Sequence, residues 1–128
     1  KYFDKIGEED GLFGCQSWEE AESILQKEAV SMAIKKVGLS KEEIRMIYAG
    51  DLLAQTIASS FGIIGFEIPV YGLYGACATM GEALSLASMA VAGGYGDYVV
   101  AVTSSHFGSA EKEFRFPLGY GNQRPYQD

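Results

Sequence analysis

A cysteine, Cys77, stands where a short apolar strand runs through small residues into a helix, along Pro69-Val70-Tyr71-Gly72-Leu73-Tyr74-Gly75-Ala76-Cys77-Ala78-Thr79-Met80-Gly81. A thiol at a helix start meets the unpaired N–H groups of the first turn and the positive end of the helix dipole, and both favour the thiolate. The strand, tight turn and helix outline a nucleophile elbow, although the Gly-x-Ser-x-Gly pattern of the serine elbows is missing. Acyl transfer on the sulfur is one chemistry that fits. A small buried side chain filling a hole at a helix start is the plainer alternative.

Acyl transfer also needs a base and an oxyanion site. His106, the one histidine of the chain, closes Thr103-Ser104-Ser105-His106 at a strand end, where an ordinary polar residue is favoured over a base. A complete acyl-transfer apparatus is therefore not legible, and the reading leans away from an enzyme while leaving activity open. Arg115 and Arg124, if their loop folds back toward the amides of Ala78 and Thr79, offer a carboxylate site, although arginines on the surface with no specific role are the favoured reading. Asp51 sits where a helix N-cap belongs, and accepting first-turn N–H bonds is favoured over a catalytic carboxylate role. Cys15 and Cys77 lie far apart and form no CxxC pair, so neither a redox dithiol nor a metal site is expected, nor any cofactor.

These groups are carried by alternating helices and strands. Residues 1–16 read as an irregular lead-in. Ser17-Trp18-Glu19-Glu20 is a capping box opening a helix with Trp18, Ala21, Leu25, Ala29, Met32 and Ala33 on its inner face, Glu19, Lys27, Lys35 and Lys36 outward, and Gly38 at its end. Ser40-Lys41-Glu42-Glu43 repeats the cap, Ile44 to Ala49 reads as a buried strand, and a helix is expected over 52–61. Gly62 to Glu67 reads as a loop. The helix after Cys77 runs to about Ala92 and is apolar almost all round, so a missing domain or another subunit is expected to cover part of it. Tyr98 to Thr103 is a β-branched run expected to be a strand buried on both faces. Residues 17–106 thus form an α/β layered unit with parallel strands and functional groups at the strand carboxyl ends, and 107–128 read as a loop or arm.

Composition narrows the function classes. The 128 residues are 48% hydrophobic and 12% aromatic, enough to bury a core. A net charge of −7 excludes a phosphate-binding basic surface, so no nucleic acid is expected. No apolar run is long enough to span a bilayer, and two free thiols suit a reducing compartment. The start at Lys1 and the abrupt end at Asp128 suggest a fragment.

In this order and spacing, Ala49-Gly50-Asp51-Leu52-Leu53, Gly75-Ala76-Cys77-Ala78-Thr79, Thr103-Ser104-Ser105-His106 and Phe114-Arg115-Phe116-Pro117 resemble the stage V sporulation protein AD family, thiolase-like proteins of spore-forming bacteria. The resemblance covers nearly the whole chain from Trp18 onward. It implies a thiolase-like fold of two similar α/β halves, with this chain most of the first, lacking its opening strand. In that fold the helix after the cysteine packs on its counterpart from the other half, and the strand before it lies near a homodimer interface.

The resemblance further implies binding of dipicolinic acid or its calcium chelate and a part in its uptake into the developing spore. Other proteins of the same uptake system at the membrane would be partners, and the location would be cytoplasmic or peripheral at the inner spore membrane. Cys77 takes the position of the acylated nucleophile of active thiolases, possession of which does not make it active here. Cys77, Ala78, Thr79, His106 and Arg115 are the candidate ligand-binding residues. An acyl-transferring thiolase or ketoacyl synthase using Cys77 is the alternative.

Overall fold

A computed structural model of the chain describes residues 3–6, 18–51 and 64–105. The expected helix over 52–61, most of the lead-in, the 107–128 arm, Cys15, His106, Arg115 and Arg124 lie outside the described residues. The regular elements are α1 (Trp18–Lys36), β1 (Met46–Asp51), β2 (Val70–Leu73), α2 (Thr79–Ala92) and β3 (Val99–Ser104). They form a mixed α/β unit with a parallel sheet in the order β2-β1-β3.

Register fixes which side chains share a face. Ile47, Ala49 and Asp51 of β1 pair with Val100, Val102 and Ser104 of β3, so these residues lie on one side of the sheet. Val30 and Ile34 of α1 join Ile44, Ile47, Ala49 and Val102 in one buried cluster there, with Leu39, Phe66, Ile68 and Val100 packed against it. The opposite side carries Tyr48 and Gly50, and α2 turns Thr79, Ala83, Ala87 and Ala90 inward. Small residues on α2 let the helix lie close to the strands.

Both helices end in the same way, with a glycine in the left-handed region. Gly38 (φ 74°) follows α1, and the Leu39 amide donates to Ile34 O while the Gly38 amide donates to Lys35 O. Gly94 (φ 79°) follows α2, with Tyr95 donating to Ala90 O and Gly94 to Val91 O. These paired bonds are the Schellman arrangement, which satisfies the last carbonyls of a helix. Between α1 and β1, the Ser40 amide donates to Glu43 Oε2 at 2.8 Å, so the expected capping pattern opens the short 3-10 turn Lys41–Glu43.

Several sequence expectations are corrected. The inward face of α1 is Ala21, Glu22, Ser23, Gln26, Val30 and Ile34, whereas Ala29 and Ala33 are exposed. Hydrophobic spacing misplaces the face because the first half of α1 lies over the polar ends of the strands and buries Glu22 and Gln26. β1 begins at Met46, since Arg45 pairs outside it by donating to Tyr98 O. Within the expected 62–67 loop, Ile64–Phe66 form a 3-10 turn. β3 packs against both α1 and α2, but with Val102 buried, Val99 to Ala101 half-buried and Thr103 exposed its β-branched run is only partly covered.

α2 leaves an apolar surface. Leu84 is 51% exposed, Met89 67% and Val91 45%. β2 is one edge of the described sheet and exposes Val70 and Tyr71, the latter stacked on Tyr48 with ring centroids 5.1 Å apart. No helix among the described residues is long and apolar enough to cross a membrane.

Candidate functional site

The three parallel strands end at one edge of the sheet, at Leu73, Asp51 and Ser104. With β1 between the others, the ends of β2 and β3 stand about 10 Å apart, two strand spacings. The Cys77 turn leaves the end of β2 and Ser105 leaves the end of β3, so both lie at the carboxyl edge of the sheet, where α/β proteins commonly bind ligands.

Between β2 and α2 the chain turns through Gly75 and a 3-10 segment, Ala76–Ala78. Cys77 is a free, exposed cysteine in that segment rather than in the first turn of the α-helix, which begins at Thr79. Ala76 has φ 49°, a left-handed conformation that costs a non-glycine residue roughly 1–2 kcal/mol. The turn is held by Thr79. Its buried hydroxyl accepts the Gly75 amide at 3.0 Å and donates to Ala76 O at 2.8 Å.

The expected anion-binding amides of Ala78 and Thr79 are already used. Ala78 N–H donates to Gly75 O at 2.9 Å, and Thr79 N–H donates to Ala76 O. The tighter 3-10 turn consumes the donors that an α-helix would leave open at its start. The Thr79 side chain is likewise committed to the turn. Among the described residues, the amides of Ala76 and Cys77 have no acceptor, which moves the candidate donors toward the cysteine.

Two neighbours shape this turn that spacing alone did not reveal. Glu82 Oε2 lies 2.6 Å from where a Cβ on Gly75 would stand, placing a carboxylate beside the turn in the first turn of α2. Gly50 is confined too: a Cβ there would collide with Thr79 Cγ2 and meet Leu73 O at 2.6 Å, so β1, β2 and the start of α2 converge on it. A glycine flanked by Ala49 and Asp51 at a strand end was the available signal.

Asp51 is fully buried as the last residue of β1. The helix it was expected to cap lies outside the described residues. The structure thus brings Cys77, Ala78 and Thr79 together, while His106 and Arg115 fall outside what it describes.

The model of the family described as stage V sporulation protein AD matches residues 1–128. The chain belongs to the stage V sporulation protein AD family. A relative in Bacillus subtilis (strain 168), called stage V sporulation protein AD, is 41% identical over 110 residues, covering 86% of this chain and 32% of the relative. The chain therefore spans about a third of the length of the curated relative it matches. In this chain the parallel α/β unit carries the Cys77 turn.

Proposed function

We propose that the sporulation protein to which this chain belongs binds dipicolinate, pyridine-2,6-dicarboxylate, or its calcium chelate beside the Cys77 turn, and takes part in its uptake into the developing spore. The observation that carries this reading is the exposed turn at the carboxyl edge of the sheet, with the Ala76 and Cys77 amides lacking acceptors among the described residues. A ligand carboxylate is the natural acceptor for such donors. His106 and Arg115, from the polypeptide after β3, complete the set in this proposal. The turn works as a backbone cradle, and the cysteine sulfur takes no covalent step.

The same proposal includes a thiolase-like second half packed on the exposed face of α2, a homodimer, and membrane-bound partners that place the protein at the inner spore membrane. Titration calorimetry of the full-length protein with dipicolinate tests the ligand. Saturable heat is expected, and its absence at millimolar ligand contradicts the reading.

One observation favours a second reading. Cys77 is free and exposed beside a strained residue, Ala76, as a nucleophile elbow requires. Acyl transfer predicts a covalent acyl adduct on Cys77 when the full-length protein meets an acyl thioester. Intact-mass measurement finding Cys77 unmodified counts against it.

A further inference from the structure

The first half of α1 turns polar side chains into the protein. Glu22 and Gln26 lie one helical turn apart on its inner face, both fully buried. Gln26 Nε2 donates to Gly50 O at 3.0 Å and to Ser104 Oγ at 3.1 Å. Ser104 Oγ in turn donates to Glu22 Oε1 at 2.9 Å. One amide thus bridges the penultimate residue of β1 and the last residue of β3, and one carboxylate fixes the hydroxyl between them.

Buried amides and carboxylates are costly unless their hydrogen bonds are made, and packing alone is served better by apolar side chains. Further along the same face, Val30 and Ile34 do pack in that way. The polar residues are confined to the stretch of α1 that lies over the functional edge of the sheet. What they hold is the framework of the site.

We propose that Gln26 and Glu22 are positioning residues for the Cys77 turn and for the end of β3. Gly50 is the connecting point. Its carbonyl is held by Gln26, while its α-carbon leaves no space against Thr79 Cγ2 and Leu73 O. A displacement of the β1 end therefore reaches Thr79, whose hydroxyl ties Gly75 to Ala76 around the cysteine. On the other side, Ser104 sets where Ser105 leaves the sheet. What the turn binds rests on the dipicolinate reading; that α1 sets its geometry does not.

The test uses the full-length protein with Gln26→Leu, Ser104→Ala and, as a control from the apolar part of the same helix face, Val30→Ala. Three quantities are measured: thermal midpoint, the dissociation constant for dipicolinate, and the rate of Cys77 alkylation by iodoacetamide. Gln26→Leu is expected to change affinity and alkylation rate by about tenfold, the scale of a small misplacement in a site. Ser104→Ala should move both in the same direction, and the double variant should be non-additive because the two residues share a hydrogen bond. Val30→Ala should lower the midpoint comparably while leaving both site readouts within about twofold of wild type.

Equal effects of Gln26→Leu and Val30→Ala on the site at equal loss of stability overturn the proposal, as do unchanged site readouts in both Gln26→Leu and Ser104→Ala. If the wild-type protein gives no dipicolinate heat, the ligand reading falls, and the alkylation rates alone decide the role of Gln26.

Discussion

Thr79 Oγ1 accepts the amide hydrogen of Gly75 at 3.0 Å while donating to Ala76 O at 2.8 Å, so one buried hydroxyl closes the loop that presents Cys77. Thr79→Val keeps the shape and removes both bonds. The half-buried Gly75 amide then loses its acceptor, while Ala76 O still accepts the Thr79 amide, so the loss should be about 1 kcal/mol in urea unfolding of the full-length protein. Thr79→Ser, which keeps the hydroxyl, should lose distinctly less; equal losses would remove the hydroxyl from any part in holding the turn.

Gly50→Ala places a methyl group against Thr79 Cγ2 and the Leu73 carbonyl oxygen. Backbone on one side and a buried side chain on the other leave little room to yield. Overpacking of this kind should destabilise by about 1–3 kcal/mol. Because the strain falls on Thr79, Cys77 alkylation should change as well. A variant with wild-type stability would mean that the β1 end moves freely, contrary to its packing.

Gly38 and Gly94 occupy left-handed positions at the two helix ends. Substitution by alanine should cost roughly 1–2 kcal/mol at each, and asparagine should cost less because it tolerates that conformation. Urea unfolding of the four variants checks the order. Alanine and asparagine giving the same stability would argue that the caps relax instead of straining.

How much of this was legible in the sequence differs from element to element. The Ser40 cap, the helix end at Gly38 and the run of a strand through small residues toward Cys77 could be read because glycines, serines and apolar runs act locally. The inner face of α1 could not, since Glu22 and Gln26 are buried only because strand ends distant in sequence supply Gly50 O and Ser104 Oγ. The 3-10 turn at Ala76–Ala78 also escaped, because whether a helix start leaves its amides open depends on one hydroxyl, that of Thr79. Membership of the sporulation family was readable from four short pieces whose order is more informative than any of them alone.

The exposed apolar face of α2, with Leu84, Met89 and Val91, predicts that residues 1–128 expressed alone associate or dissolve poorly. Met89→Lys together with Leu84→Lys should improve the isolated piece and weaken the full-length protein. Sedimentation giving a clean, stable monomer of unsubstituted 1–128 contradicts this.

Glu82 places a carboxylate beside Gly75, where it competes with any anion approaching the turn. Glu82→Gln should therefore tighten dipicolinate binding a few-fold, with the gain shrinking as salt screens the charge. Weaker binding in the variant would show that Glu82 assists the ligand or a cation carried with it.

Calorimetric titration of the full-length protein with dipicolinate, repeated with Cys77→Ala, addresses the backbone cradle most directly. Saturable heat that survives loss of the sulfur is the expected result. No heat at millimolar dipicolinate, or binding abolished with Cys77→Ala while the fold stays intact, contradicts it.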